Sequence, residues 1–216
     1  MQVGIIEDQQ LFREMLCDLV AKHFRWQVAF EVADGLAGLK ECRAKPVDIL
    51  LLDIMIPQID GLSLATTLIK ETPQIRILAL SAQCDDYTLH RVVEIGFLGF
   101  VDKNRDKSAV LKEAILRVAE GHTYFAEVVR RVQNRLISDP KSFTKILTDR
   151  EQELLIFLGA GLSNEEISPR VNLKPSAIQS HRRNILKKLD LHSTPELMRY
   201  SLSKGFIRSP TTQPGD

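Results

Sequence analysis

Five short apolar runs, at residues 3–6, 28–32, 47–52, 75–80 and 97–101, recur across the first 120 residues of this chain. Each is too short to be a helix and is rich in β-branched or aliphatic side chains, as a buried strand is. Between them lie segments with helical spacing. One carries Leu11, Met15, Leu16, Leu19 and Val20; another carries Leu62, Ala65, Leu68 and Ile69. Residues 88–95 and the set Val110, Leu111, Ala114, Ile115 and Val118 follow, with a weaker pattern over 36–42. Strands alternating with helices predict a parallel sheet covered on both faces. Right-handed crossovers make it doubly wound. The expected fold of this half is therefore an α/β doubly wound five-stranded parallel sheet, with its working site beyond the carboxyl ends of the strands.

Chemistry-bearing residues fall at those ends. Glu7 and Asp8 follow the first run, Asp53 the third, Ser81 the fourth and Lys103 the fifth. An aspartate after a strand is by itself most often a turn former, and a lone serine or lysine says less. Five such residues meeting at one edge are far more specific. Three carboxylates held together repel, so they need a cation or shift their pKa values upward. Oxygen ligands with room for water suit Mg²⁺. Lys103 adds a mobile positive charge and Ser81 a hydroxyl, both fitted to phosphoryl oxygens.

The second half is built differently. Residues 121–143 read as a connector, helical over 124–137 and broken by Ser138-Asp139-Pro140-Lys141-Ser142. Four short helices follow. Thr148 with Glu151, and Ser163 with Glu166, are spaced as capping boxes that open the first two. Gly159 and Gly161 separate them. Pro175 fits the first turn of a third helix over 176–189, and Thr194-Pro195 opens a fourth through 203, closed by Gly205. Pro169 falls inside the second helix, which is expected to bend or end near Ser168. The tail 209–216, rich in Pro, Thr and Gly, is expected to be disordered. On the third helix Ile178, Ile185, Leu186 and Leu189 share one face, while Gln179, Arg182, Arg183 and Lys187 lie away from it. A basic face alone is usually just solvated. Two capped helices ahead of it, with a turn at 172–174, fit a helix-turn-helix that carries side chains into the major groove.

Charge divides the same way. Residues 1–120 carry 14 Lys/Arg against 18 Asp/Glu, a net −4, whereas 144–208 carry 11 against 7, a net +4. A polyanion partner is thus expected for the second half only. No apolar stretch approaches the ~20 residues that span a bilayer. Cys17, Cys42 and Cys84 are too few and too scattered for a disulfide framework or a zinc site, so a cytoplasmic location without membrane contact is expected.

The quoted motifs carry a family resemblance. Glu7-Asp8, the segment from Asp53 through Pro57 to Gly61, Ser81-Ala82 and Gly99-Phe-Val-Asp-Lys103 together resemble the flavodoxin-like receiver domain of response regulators, over about residues 1–120. Leu147-Thr-Asp-Arg-Glu151, Gly161-Leu-Ser-Asn-Glu-Glu-Ile167 and His181-Arg-Arg-Asn-Ile-Leu-Lys-Lys-Leu189 resemble the all-α, four-helix LuxR-type DNA-binding domain, over 144–208. The whole is similar to NarL/FixJ-type response regulators.

The resemblance implies that Asp53 accepts a phosphoryl group from a sensor histidine kinase. It implies Mg²⁺ held by Glu7, Asp8, Asp53 and the Met55 backbone carbonyl, with Lys103 pairing with the phosphoryl oxygens. Ser81 and Phe100 would then act as the switch. It also implies homodimerisation on phosphorylation, release between domains, or both, followed by binding to double-stranded promoter DNA. Gln179, Ser180 and Arg183 would face bases, and Arg182, Lys187 and Lys188 phosphates. Such a protein is a transcription regulator, not an enzyme. Lys174 and Ala177 stand where the family usually has hydroxyl residues, and Gln179 where it often has a basic one. Glutamine favours adenine over guanine, so an altered operator is expected. Two other classes remain open. A metal-dependent phosphatase is disfavoured because Met55 stands where its second acid belongs. A receiver-like docking module that is never phosphorylated is disfavoured by the complete set of site residues.

Overall fold

The structure, a computed structural model, describes residues 1–207, so the tail expected at 209–216 lies outside the described residues. Two compact units are present, residues 1–84 with 89–130, and residues 85–88 with those from 131 onward.

The first unit is built around β1 (Gln2–Ile6), β2 (Gln27–Val32), β3 (Ile49–Asp53), β4 (Arg76–Ser81) and β5 (Gly99–Asp102). Its helices are α1 (Gln10–Asp18), prolonged by a π-helical turn (Leu19–His23), α2 (Gly35–Ala44), α3 (Gly61–Glu71), α4 (Asp86–Ile95) from Leu89 onward, and α5 (Ser108–Ala119). All strands pair in parallel, in the order β2-β1-β3-β4-β5-β6. The sixth strand, β6 (Tyr124–Phe125), corrects the expectation of five. It also shortens the helix expected over 124–137, since α6 begins at Glu127 (Glu127–Ser138). Two residues are too few to leave a period of their own in a sequence. What admits them is Gly99, where a Cβ would stand 2.8 Å from the Tyr124 carbonyl oxygen.

Burial explains why the strands lack alternation. β3 is buried at every position, as a central strand covered on both faces must be. One face stacks Val3, Ile5, Ile49, Leu51, Leu78 and Leu80 against Leu16 and Val20 of the first helix and Leu111, Ile115 and Val118 of α5. The loop after Asp53 is then held tightly. A Cβ on Gly61 would lie 2.4 Å from the Asp53 carbonyl oxygen and 2.7 Å from the Ile54 Cα, so only glycine lets α3 start there. Asp60 caps that start by accepting from the Leu62 and Ser63 N–H groups.

The second unit contains α7 (Phe143–Ile146), α8 (Asp149–Gly159), α9 (Asn164–Val171), α10 (Pro175–Leu189) and α11 (Thr194–Lys204). Both capping boxes form, with Thr148 and Ser163 as N-caps and Glu151 and Glu166 reaching back. Pro175 occupies the first turn of α10, and Lys174 before it provides no side-chain cap. Of the two outcomes expected at Pro169, a bend or an early end, the early end does not occur. Helix α9 runs through Pro169 to Val171 and closes at Asn172 in the left-handed region (φ 52°). Pro169 and Glu165 are both exposed, so the one backbone bond that Pro169 cannot make is lost on an exposed stretch of the helix.

Gly159 of α8 lets α11 approach, for its Cβ would stand 2.4 Å from the Cβ of Ser201. Ser201 is fully buried and its Oγ has no hydrogen-bond partner among the described residues. Deleting a buried, unpaired hydroxyl removes a desolvation cost. Ser201→Ala is therefore expected to stabilise the protein by about 1 kcal/mol, read as a raised urea midpoint with an unchanged m-value.

Candidate functional site

The parallel sheet brings the residues singled out at its carboxyl edge together. The carboxylates of Glu7, Asp8 and Asp53 offer oxygens all within 4.8 Å of one another. Glu7 is 0% exposed and Asp53 2% exposed, whereas Asp8 lies at the surface. Lys103, carried one residue past β5, places its Nζ 2.7 Å from Asp53 Oδ2 and 2.5 Å from Glu7 Oε2. Asp53 Oδ1 accepts from the Met55 N–H at 2.8 Å, and Glu7 Oε1 accepts from the Gln9 N–H at 3.2 Å. Ser81 is fully buried; its Oγ accepts from the Gln83 N–H at 3.0 Å and keeps its own proton to donate. Phe100, also fully buried, sits in register between Ala79 of β4 and Phe125 of β6.

The electrostatics ask for a cation. Burial pushes the Glu7 carboxyl up to about 7, the close Lys103 ammonium opposes this, and the nearby Asp53 charge adds to it. With all three carboxylates ionised, as a bound cation would keep them, one ammonium leaves the cluster two charges short of neutrality. Glu7 Oε2 lies within ion-pair range of Lys103 yet has no aligned hydrogen-bond donor. An all-oxygen donor set with an excess charge of two fits a hard divalent cation such as Mg²⁺. Two residues that the sequence did not single out touch this site from the start of α1. The Arg13 guanidinium donates to the Glu7 carbonyl, and the Phe12 ring lies under Lys103. Their one signal in the sequence is a position one helical turn past Asp8.

In the second unit, α10 buries Ile178 and Ile185 completely and leaves Leu186 and Leu189 half-buried, as the apolar stripe required. Gln179, Ser180, Arg183 and Lys187 are exposed. Asn164 Nδ2 donates to Gln179 Oε1 at 2.8 Å. Arg182 is turned inward and donates to the Leu162 carbonyl and Asn164 Oδ1, both at 3.2 Å. Lys188 Nζ lies 2.6 Å from Glu151 Oε2, the same oxygen that accepts from the Thr148 N–H. Glu151 is only 4% exposed. Burial opposes its ionisation, but the Lys188 and Thr148 hydrogen bonds win and hold its carboxyl below the ordinary range. One carboxylate thus caps α8 and fixes the far end of α10.

Comparison with known proteins gives both units a family. The response regulator receiver domain matches residues 3–115, and the LuxR family of bacterial regulatory proteins matches residues 145–201. The Fimbriae Z protein of Salmonella typhimurium is 30% identical over 206 residues, covering 95% of this chain and 98% of that one. Its counterpart in Escherichia coli K12 is 28% identical over 200 residues, 92% and 95% of the two chains. The response regulator protein VraR of Staphylococcus aureus is 24% identical over 208 residues, 96% and 99%. The fold is shared with RcsB of Salmonella enterica serovar Typhimurium, solved on the promoter P1flhDC with the phosphomimetic BeF3⁻. There the TM-score is 0.65 at 21% identity, covering 94% and 98% of the two chains.

A receiver sheet with an acidic edge, followed in one chain by a helix-turn-helix unit, is the make-up of a transcriptional response regulator. The chain belongs to the NarL/FixJ-type response regulators, which join a receiver domain to a LuxR-type helix-turn-helix domain. Among the described residues no helix is long and apolar enough to cross a membrane.

The Glu151–Lys188 pair generates a prediction. A carboxyl whose folded-state pKa is depressed adds stability above its unfolded pKa and loses it as pH falls through the folded value. Lys188→Met is expected to cost about 1–2 kcal/mol at pH 7, because the lysine is partly exposed and its attraction partly screened. The difference between variant and parent should shrink as unfolding is followed from pH 7 down to the acid limb. A pH-independent difference would contradict the assignment.

Proposed function

We propose that Asp53 accepts a phosphoryl group from a phosphohistidine on a sensor kinase, and that this modification controls DNA binding by the second unit. The observation that carries the reading is the Lys103 ammonium held between buried Asp53 and Glu7 at the edge of a parallel sheet. An Asp53 carboxylate oxygen forms the new O–P bond while the P–N bond breaks, its electron pair leaving on the imidazole nitrogen. Lys103 stabilises charge on the phosphoryl oxygens in flight. Glu7, Asp8, Asp53 and the Met55 backbone carbonyl are the residues to hold Mg²⁺, which when bound supplies further positive charge to those oxygens. Ser81 then donates a hydrogen bond to the phosphoryl group, and Phe100, two residues before the end of β5, passes that movement outward. The only chemistry required of the protein is its own modification, so it acts as a regulator rather than an enzyme. Its place of action is the cytoplasm, where kinase and promoter meet.

Phosphorylation adds about −1.5 to −2 charges. Moving a population from 1:99 to 99:1 takes ~5.5 kcal/mol of differential interaction. Several charge-assisted contacts together with homodimerisation suffice, where one hydrogen bond does not. On DNA, the exposed residues Gln179, Ser180 and Arg183 of α10 face bases, and Lys187 meets phosphate. Arg182 and Lys188 add charge while their bonds hold α10 in place. Residues 1–120 act as the receiver and 144–208 as the DNA-binding domain, with 121–143 connecting them.

Incubation with Mg²⁺ and acetyl phosphate or beryllofluoride, with light scattering as readout, tests the first half of this. A Mg²⁺-dependent shift from monomer to dimer is expected in the parent protein and should vanish in Asp53→Asn. If no donor modifies the protein, the acceptor assignment is wrong. On promoter DNA, Lys187→Ala is expected to weaken binding evenly across sequences and reduce the salt slope by about 1. Arg183→Ala should instead cost about 1–3 kcal/mol and relax discrimination at one base pair. Equal behaviour of the two variants would refute the division into base and phosphate contacts.

A further inference from the structure

The first turn of α1 carries two adjacent residues with no part in the scheme above, yet each grips a different half of the acidic site. Arg13 Nη1 donates to the backbone carbonyl of Glu7 at 2.6 Å and lies 3.4 Å from that of Asp8. These carbonyls belong to the two residues whose side chains supply carboxylates to the cluster. The guanidinium is largely shielded, with 18% of its side chain exposed, and its Nε lies 3.6 Å from Glu31 Oε2 at the end of β2. Glu31 thus anchors Arg13 from the neighbouring strand, and Arg13 fixes the loop that aims Glu7 and Asp8. The Phe12 ring packs against the core below the sheet edge. Lys103 Nζ stands 4.7 Å from its centroid, in range for attraction between an ammonium and the negative face of an aromatic ring. The lysine therefore has two carboxylates on one side and a fixed ring on another.

From this we infer that Arg13 and Phe12 are positioning residues with separate tasks. Arg13 sets the geometry of the cation-binding loop, and Phe12 sets the place of the Lys103 ammonium. The inference rests on the reading of this edge as a cation-dependent phosphoryl-acceptor site. An alternative electrostatic role for Arg13 would have the opposite sign, because a guanidinium near a dication repels it. Glu31 offsets that charge, so orientation prevails and loss of Arg13 weakens the cation.

The test uses the full chain and two readouts. Calorimetric titration with Mg²⁺ alone gives its affinity. The rate of Asp53 phosphorylation by acetyl phosphate at saturating Mg²⁺ gives the transfer step, in which the O–P bond to Asp53 forms as the P–O bond to departing acetate breaks. Arg13→Gln and Arg13→Lys are each expected to weaken Mg²⁺ about tenfold, the scale on which residues behind metal ligands act. Their rates at saturating Mg²⁺ should stay within about twofold of the parent. Arg13→Lys keeps the charge but not the reach of the fork, so it separates geometry from electrostatics. Phe12→Leu is expected to leave Mg²⁺ affinity unchanged and slow transfer about three- to tenfold, with Phe12→Tyr restoring it.

Unchanged Mg²⁺ affinity in both Arg13 variants overturns the inference, as does tighter binding in Arg13→Gln or an unaltered rate in Phe12→Leu. Loss of affinity and rate together in every variant, alongside lowered melting temperatures, would mean ordinary packing and overturn it as well. If the parent protein itself bound no Mg²⁺, the reading of the site would fail first, an outcome distinct from failure of these two assignments.

Discussion

Three carboxylates crowd one edge of a buried sheet, and the single ammonium of Lys103 stands between two of them. Glu7, fully enclosed, cannot be screened by water, and its carboxyl is pushed up to about 7 by that burial. The rest of the first unit serves to keep this costly arrangement in place. Parallel strands bring all the groups to the same side, because every strand ends there. Gly61 lets α3 press against the backbone that carries Asp53, and the Asp60 cap holds that contact. A site assembled at such expense keeps a charge imbalance that a hard cation can relieve.

The second unit solves a simpler problem with the same kind of residue. Glu151 is buried too, but its partners lie within hydrogen-bonding distance and its carboxyl is pulled down. Two glutamates of one chain are therefore shifted in opposite directions. Glu7 is left wanting a partner that the chain does not supply in full, whereas Glu151 is satisfied by Lys188 and Thr148 and ties the start of α8 to the far end of α10. Burial with too few partners raises the one, and close donors lower the other.

Much of this was legible before the structure. The alternation of apolar runs and helical segments placed Glu7, Asp8, Asp53, Ser81 and Lys103 at strand ends, and the sheet brings them to one edge. The capping boxes at Thr148 and Ser163 read directly, since both partners are local in sequence. What was missed is of two kinds. β6 is too short to have a period, and it exists because Gly99, distant in sequence, leaves room beside it. Arg13 and Phe12 act through a backbone carbonyl and a ring face, contacts that residue types do not announce. Pro169 does not end α9, a separate point. The cost of an interior proline depends on whether the orphaned carbonyl meets solvent, and exposure is decided by how α9 packs.

The strand order carries a further consequence, for what receiver units do when crowded. An open sheet has two borders, and each is a row of backbone groups that another chain can pair with. Here one border ends in the two-residue β6, which presents too little backbone to template a neighbour. The other border, β2, has the Lys45 ammonium at the Ala29 carbonyl and carries exposed Gln27 and Glu31. Both margins are thus blunted. Copies of this unit brought close together can meet side chain to side chain without fusing into a continuous sheet.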